Sequence, residues 1–312
     1  MKVSVLVMTY NHVNFIAQAL DSILMQQVNF DYEILISEDC STDGTREIVL
    51  DYYQQFPDRI RLLLSEKNVR SNQVVARGIH AAQGQYIALL DGDDFWLSPH
   101  KLQKQVEFLD SHLDCALCFH NAQVVREDGT QECQNWTPDD QKQFSTLEDM
   151  WLGNFIATCS TMFRRGLFGE VPEWYDDFFP ITDWPLHLLN AEHGLIGYID
   201  EVMGAYRHHS GGLYSPFSQL QKLNKTLEFY QKINACLEFK YDQTIKSAIS
   251  NYFLDWAIEY EQQRELEQAK YCFRVCLLGK PVNKFISLKK LIKVWAKLYI
   301  LPVFDSRRWA HQ

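Results

Sequence analysis

Three carboxylates fall within four residues in the run Asp91-Gly92-Asp93-Asp94, followed by Phe95-Trp96. The apolar stretch Tyr86-Ile87-Ala88-Leu89-Leu90 precedes them directly, so they stand at the end of a strand that the pattern buries. Acids this close repel one another unless a cation is present. Hard divalent cations such as Mg2+ and Mn2+ take oxygen ligands, and bind through one or two carboxylates together with substrate phosphates. A D-x-D pair can divide the work: one carboxylate reaches a ribose hydroxyl while the other ligates the metal, which neutralises a diphosphate and improves it as a leaving group. An exposed acidic turn is the competing explanation. The buried strand before these acids and the aromatics after them favour a site.

Asp183 is a separate acid beside Trp184, far along the chain from the first cluster. With Pro185 behind it, Asp183 also suits a helix N-cap, and one residue can serve both ends. Tyr206-Arg207-His208-His209 gathers a guanidinium and two imidazoles, in a segment that could equally be a satisfied surface loop.

The elements that must position these groups follow from hydrophobic periodicity. Strands are expected at Val3–Met8, Tyr32–Ser37, Ile60–Leu64 and Gln85–Leu90, and helices at Phe15–Gln26, Arg46–Gln55 and Gln73–Ala82. Thr42 or Asp43 is the expected cap of the second helix. Alternating strands and helices with short connections imply a mostly parallel sheet flanked by helices. Ligands of such sheets bind beyond the carboxyl ends of the strands. Thr9-Tyr10-Asn11, Glu38-Asp39 and Asp91 to Asp94 all sit at those ends, hence on one rim. No GxGxxG and no P-loop follows the first strand, so phosphates must be held another way. Beyond residue 112 the expected elements are strands at Cys115–Val125 and Ile156–Arg164, helices at Ser145–Gly153 and from Asp183 to about His193, and an extended segment Ile196–Tyr206. The composition turns helical from about Ser215. A domain of residues 1–212 and a helical region of 213–312 are expected, divided at Gly211-Gly212.

The order VSVLVMTYNH, EILISEDCSTDGT, ARGIHAAQGQYIALLDGDDFW resembles the family 2 glycosyltransferases of GT-A (Rossmann-like) fold over roughly the first 110 residues. A weaker likeness runs on to Ser215 through Thr161 to Arg165, Thr182-Asp183-Trp184 and Tyr206 to His209. The resemblance implies an inverting transfer from a nucleotide-diphospho sugar, with a UDP-sugar the expected donor. The acceptor would be a hydroxyl of a glycan or lipid-linked molecule, in cell-surface polysaccharide or lipopolysaccharide assembly. Thr9, Tyr10, Asn11 and Asp39 would hold the nucleotide, Asp39 accepting from a base N–H such as uracil N3. Arg77 matches an arginine near the base and diphosphate. Asp91 would face the ribose, Asp93 would ligate Mn2+ or Mg2+, and Asp94 would support the loop or reach the donor sugar. Asp183 would be the general base. Arg207 and His209 would close over the diphosphate, with His209, or its neighbour His208, adding a metal ligand. The sequence departs from the family pattern at Glu38, Val13, Arg70 and Gly78, where Asp, an acid, Gly and Asn respectively are usual.

Two rival functions share these acids. One is a non-catalytic nucleotide-sugar binding or scaffold protein. The other is a metal-dependent nucleotidyltransferase, which would release pyrophosphate. Net charge of −10 over 312 residues argues against a nucleic-acid partner. Eight scattered cysteines, including Cys115 and Cys118, complete no zinc pattern and read as buried thiols of a reducing compartment. The chain reads as cytoplasmic.

Charge is unevenly spread. Pro281 to Gln312 holds seven Lys or Arg against Asp305 alone. Within it, Phe285, Leu288, Leu291, Ile292, Trp295, Leu298 and Tyr299 fall on one helical face, and Lys289, Lys290, Lys293 and Lys297 on the other. That pattern suits either a helix lying on the inner face of an anionic membrane or a helix docked on the protein with its lysines in water. Tyr252 to Pro281 resembles a single tetratricopeptide-type hairpin, and packing of two helices is its plainer reading.

Overall fold

A computed structural model describes residues 1–128 and 130–300, the side chains of 131–134 aside. The first half alternates as read from the sequence: β1 (Val3–Thr9), α1 (Ile16–Leu24), β2 (Tyr32–Glu38), α2 (Thr45–Gln55), β3 (Ile60–Leu64), α3 (Gln73–Ala81) and β4 (Tyr86–Asp91). β1 and β2 are buried along their whole length, which is why their sequences run apolar rather than alternating. These four strands are parallel, in the order β3-β2-β1-β4. Register fixes the rim: Thr9 lies beside Glu38, and Met8 beside Asp91. Gly78 lets α3 approach β1, since a Cβ there would stand 2.2 Å from Leu6 Cδ1.

The second half comprises β5 (Phe95–Trp96), α4 (Lys101–Ser111), β6 (Cys115–Arg126), β7 (Gln131–Asn135), β8 (Phe144–Ser145), α5 (Leu147–Leu152), β9 (Met162–Arg164), α6 (Asp183–Ala191) and β10 (Leu195–His208). β9 runs antiparallel to both β4 and β6 and so joins the first parallel set to the parallel pair β6–β10. The sheet holds ten strands in the order β3-β2-β1-β4-β9-β6-β10-β5, with β7 on β6 and β8 on β10.

Two local differences from the sequence reading have physical causes. The strand expected over 156–164 is a 3-10 turn at Thr158–Ser160 followed by the short β9. Its first residues are apolar because they are buried, not because they are extended. α4 was not anticipated, because its buried face carries Lys101 and Gln105 among Leu102, Val106 and Leu109 and so blurs the apolar period.

The chain divides into two compact units, 1–150 with 154–216, and 151–153 with 217–312. The second unit contains α7 (Gln219–Cys236), α8 (Asp242–Gln262), α9 (Leu266–Leu278) and α10 (Leu288–Tyr299). Ser218 opens α7 with a reciprocal capping box to Gln221. α8 and α9 form a hairpin through buried Ala257, Ala269 and Phe273. α10 packs on both through Leu291, Val294 and Leu298. The apolar face read from the sequence is therefore split. Leu291 and Leu298 are buried, while Phe285, Leu288, Ile292 and Trp295 remain 46–60% exposed. Lys290 and Lys297 pair with Asp255 and Glu261, and Lys284, Lys289 and Lys293 are exposed. Arg307, Arg308 and Asp305 lie outside the described residues. No helix of the described residues is long and apolar enough to cross a membrane.

Candidate active site

The carboxyl ends of β1, β2 and β4 deliver the site from one side. At the tip of β4, each of Asp91, Asp93 and Asp94 offers a carboxylate oxygen, and these lie within 4.8 Å of one another. Gly92 N–H donates to Met8 O at 2.7 Å and ties the turn to β1. A side chain at Gly92 would meet Thr9 Oγ1 at 2.7 Å and His12 Nδ1 at 2.9 Å, so the close approach of the two loops requires glycine.

Electrostatics separate the three acids. Burial pushes Asp91 well above the usual carboxylate range, Asp93 and Asp183 add to the push, and the Thr158 hydroxyl opposes it. Burial also raises Asp94, reinforced by Asp93 and Asp91. For Asp93 burial acts upward too, but His12 and His209 outweigh it and hold this carboxyl below its ordinary value. Crowded carboxylates ionise together only at a cost that a divalent cation removes. Two or three carboxylates with an imidazole form a donor set suited to such a cation. His209 is that imidazole, with Nε2 2.9 Å from Asp93 Oδ2. His208 is exposed, with its ring edge-on to Tyr206.

Arg207 packs against the acidic turn itself. Pairing of Gly204 with Trp96 and Ala205 with Phe95 brings it alongside the acidic turn. Its N–H donates to Asp94 Oδ1 at 2.8 Å, its Nε to Asp93 O at 2.9 Å, and Nη2 to Gln18 Oε1 at 2.7 Å. The guanidinium stands 4.8 Å from the Phe15 ring centre and 5.1 Å from that of Phe95. With 6% of its surface exposed, Arg207 is committed to holding the acidic loop.

The nucleotide side is built by hydrogen bonds between loops. Asp39 Oδ1 accepts from Ser65 Oγ at 2.9 Å and from Val69 N. Arg77 holds this corner, donating to Ser37 Oγ, Ser65 Oγ and Glu38 O at 2.6–3.0 Å. It acts on Asp39 through Ser65. Buried Glu38 pairs with Arg46 and accepts from Ser41 N, which fixes the turn after β2. Asn11 has a left-handed φ of 56° and accepts from Thr42 N at 2.8 Å. Tyr10 is partly exposed beside it. Thr9 is buried, with Oγ1 3.3 Å from His12 Nδ1, and so lies behind the rim. Arg70 has φ +46°, a conformation open to glycine at no steric cost, which accounts for glycine being usual there.

Asp183 comes to the site from a separate element, α6. It opens α6, where Oδ1 accepts from Trp184 N at 2.8 Å and Oδ2 accepts from Asn154 Nδ2 at 2.7 Å. The segment leading to it is pinned by Asn72, whose Nδ2 donates to Tyr175 O and Ile181 O. Asp183 raises the pKa of Asp91, so the two acids share one electrostatic environment although 92 positions separate them in sequence. His12 and Asn154 belong to this constellation and were missed at the sequence level. His12 carried a signal, as an imidazole just past a strand tip; Asn154 carried none.

The sequence pattern described as Glycosyl transferase family 2 matches residues 4–171. An uncharacterized protein of Mycobacterium tuberculosis is 33% identical over 225 residues, covering 72% of this chain and 64% of its own length. The chain thus spans about 64% of the length of the relatives it matches over most of its own. A Bacillus subtilis protein named for a teichuronic acid biosynthesis glycosyltransferase, TuaG, is 40% identical over 130 residues, 41% of this chain and 49% of its own. Among solved structures, Staphylococcus aureus TarS 1-349 in complex with UDP-GlcNAc superposes with a TM-score of 0.62 at 19% identity, covering 96% of this chain and 88% of that one. The mannosyltransferase PcManGT of Pyrobaculum calidifontis, in complex with GDP-Man and Mn2+, gives 0.58 at 16% identity, over 99% and 82% of the two chains. Both likenesses are of fold, and the fold is GT-A.

Proposed function

We propose an activity for this chain from one premise: it belongs to glycosyl transferase family 2. The reaction is inverting transfer of a sugar from a nucleotide-diphospho sugar, with a UDP-sugar as donor, to a hydroxyl of a glycan or lipid-linked acceptor. The setting is cell-surface polysaccharide or lipopolysaccharide assembly, a reading supported by the name of the relative TuaG. The observation that carries the reaction is the nearness of Asp183 to the Asp91–Asp93–Asp94 cluster, close enough to raise the pKa of Asp91. One acid is held by its own hydrogen bonds while the others gather where a cation fits.

Asp183 takes the proton from the acceptor hydroxyl. The acceptor oxygen bonds to the anomeric carbon as the bond from that carbon to the β-phosphate oxygen breaks. The electron pair leaves with the nucleoside diphosphate, and attack from the opposite face inverts the configuration. Asn154 and the Trp184 N–H orient the Asp183 carboxylate for this step. Asp93 and His209 would hold Mn2+ or Mg2+, which neutralises charge growing on the leaving diphosphate. Asp91 faces the ribose, and Asp39 accepts from the base N–H with the capacity left beyond Ser65 and Val69. Tyr10 and Asn11 line the nucleotide side, and Arg77 and Thr9 support it from behind.

Exposed Phe285, Leu288, Ile292 and Trp295, flanked by Lys284, Lys289 and Lys293, suit the headgroup region of an anionic membrane. Residues 281–300 contain five lysines and no acid, in a chain of net charge −10, so this face has the complementary sign. Peripheral attachment to the inner leaflet would bring the enzyme to a lipid-linked acceptor.

The test is incubation with a panel of nucleotide sugars and either metal, followed by analysis of the released nucleotide and of the product's anomeric configuration. Release of nucleoside diphosphate with inversion, lost in Asp183→Asn while donor binding persists, is expected. Pyrophosphate as product would establish a nucleotidyltransferase instead. Donor binding without turnover on any acceptor would favour a binding protein.

A further inference from the structure

His12 follows the tip of β1, where the left-handed Asn11 turns the chain back over the sheet. Its backbone N–H is held by Thr45 Oγ1 at 2.8 Å. Its ring is wedged by the turn at Gly92, with Nδ1 3.3 Å from Thr9 Oγ1. That leaves Nε2 pointing at the acidic loop, 3.4 Å from Asp93 Oδ2. His209 Nε2 reaches the same oxygen at 2.9 Å from 197 positions further along the chain. Two imidazole nitrogens thus converge on one carboxylate oxygen.

The spacing has a chemical meaning. A six-coordinate cation with bonds of about 2.1 Å sets neighbouring ligand atoms about 3.0 Å apart; the His209 separation of 2.9 Å matches this, and the His12 separation of 3.4 Å lies a little beyond it. A metal-ligating histidine characteristically gives its other ring N–H to an oxygen, which fixes its tautomer. Thr9 Oγ1 is placed to accept from His12 Nδ1 and leave the Nε2 lone pair facing forward. A set of two imidazoles and one carboxylate leaves positions open for other ligands and suits first-row transition ions. Mg2+, by contrast, keeps an oxygen shell.

We infer that His12 joins Asp93 and His209 as a cation ligand, making a two-imidazole, one-carboxylate site that selects Mn2+ and neighbouring first-row ions over Mg2+. The inference rests on the nucleotide-sugar reading, since a diphosphate takes the open positions. Asp91 and Asp94 then belong to the ribose and the loop clamp. The deep burial of Thr9, at first sight misplaced for nucleotide contact, becomes orientation of His12.

Pulsed electron paramagnetic resonance of Mn2+ bound to the full chain with UDP, comparing unlabelled with 15N-histidine protein, counts the coordinated imidazoles directly. Two are expected in the wild type and one in His12→Gln. Mn2+ affinity should fall about tenfold or more in His12→Gln, and the preference for Mn2+ over Mg2+ should shrink with it. A metal-free melting curve checks that the variant folds, and the wild-type count stands whether or not it does. One imidazole in a wild type that binds UDP and Mn2+ together overturns the assignment of His12 and leaves the transferase reading intact. No UDP-dependent Mn2+ signal in the wild type overturns both.

Discussion

The backbone N–H of Arg207 donates to the Asp94 carboxylate at 2.8 Å, across 113 positions of sequence. This bond explains why the third acid of the cluster is buried to 2% exposure while its neighbours are more open. Asp94 is spent on holding the loop, and its carboxylate is the anchor for β10. Asp94→Ala leaves the buried Arg207 N–H without an acceptor, at a cost of about 1–3 kcal/mol. Urea denaturation should show that loss together with weakened Mn2+ binding. Stability equal to wild type would mean that the clamp carries no load.

Arg207→Met keeps apolar contact with Phe15 and Phe95 but removes the bonds to Asp93 O and Gln18. Stability should fall by about 2 kcal/mol. The larger effect is expected on nucleotide binding in the presence of metal, read by calorimetry, because Asp93 loses its backbone support. An unchanged affinity would argue that Asp93 is positioned by the histidines alone.

Asp183→Asn should lower turnover by about 10²–10⁴-fold while donor affinity and melting temperature stay near wild type. Asn154→Ala removes the donor to Oδ2 without removing the acid, so a smaller loss of about tenfold in turnover is expected. A reversed order, with Asn154 the more sensitive, would move the chemistry away from Asp183.

His187 lies one turn beyond Asp183 in α6, fully buried, with neither ring nitrogen hydrogen-bonded among the described residues. Burial lowers its pKa to about 4, against a weaker upward pull from Asp183. The unfolded chain protonates this group at about 6.5, so protons bind the unfolded state in preference. Stability is fully present above about 6.5 and is lost as the pH falls towards about 4, by about 3 kcal/mol over that window. Denaturation of wild type and His187→Leu, at about pH 7.5 and about pH 4.5, separates this imidazole's contribution from that of the carboxyls. A stability difference independent of pH would sink it.

On the second unit, Ile292→Ser with Trp295→Ser should abolish sedimentation with vesicles containing anionic phospholipid. Lys289→Glu with Lys293→Glu should weaken sedimentation most at low ionic strength, where the lipid charge is least screened, and neutral vesicles should bind wild type and variants poorly. Equal binding of all variants would place the attachment elsewhere.

The parallel half of the fold was legible because each strand there is a continuous apolar run ending in polar residues, as at Val3–Thr9 and Tyr86–Asp91. The same rule placed Asp39, Asp91 and Asp93 on the rim, whereas Asp183 opens a helix and its role came only from the family resemblance. It said nothing of Arg207's direction, since the pairing of β10 with β5 is set by tertiary register and only two residues form β5. α4 escaped because Lys101 packs 3.9 Å over the Trp96 ring in the interior, where a periodicity rule expects an aliphatic side chain. α10 was read as one apolar face. In fact Leu291 and Leu298 face α8 and α9 while Ile292 and Trp295 do not, a split that depends on neighbours invisible to a helical wheel.

The family pattern stops at residue 171, yet Arg207 and His209 close the loop from beyond it. During synthesis the acids of β4 leave the ribosome more than a hundred residues before their clamp. A nascent chain, or a product truncated after the recognisable signature, would carry the donor-binding motif without a competent site. On the proposed reading, competence would arrive only with the last strand, which brings Arg207 and His209 to the acidic turn.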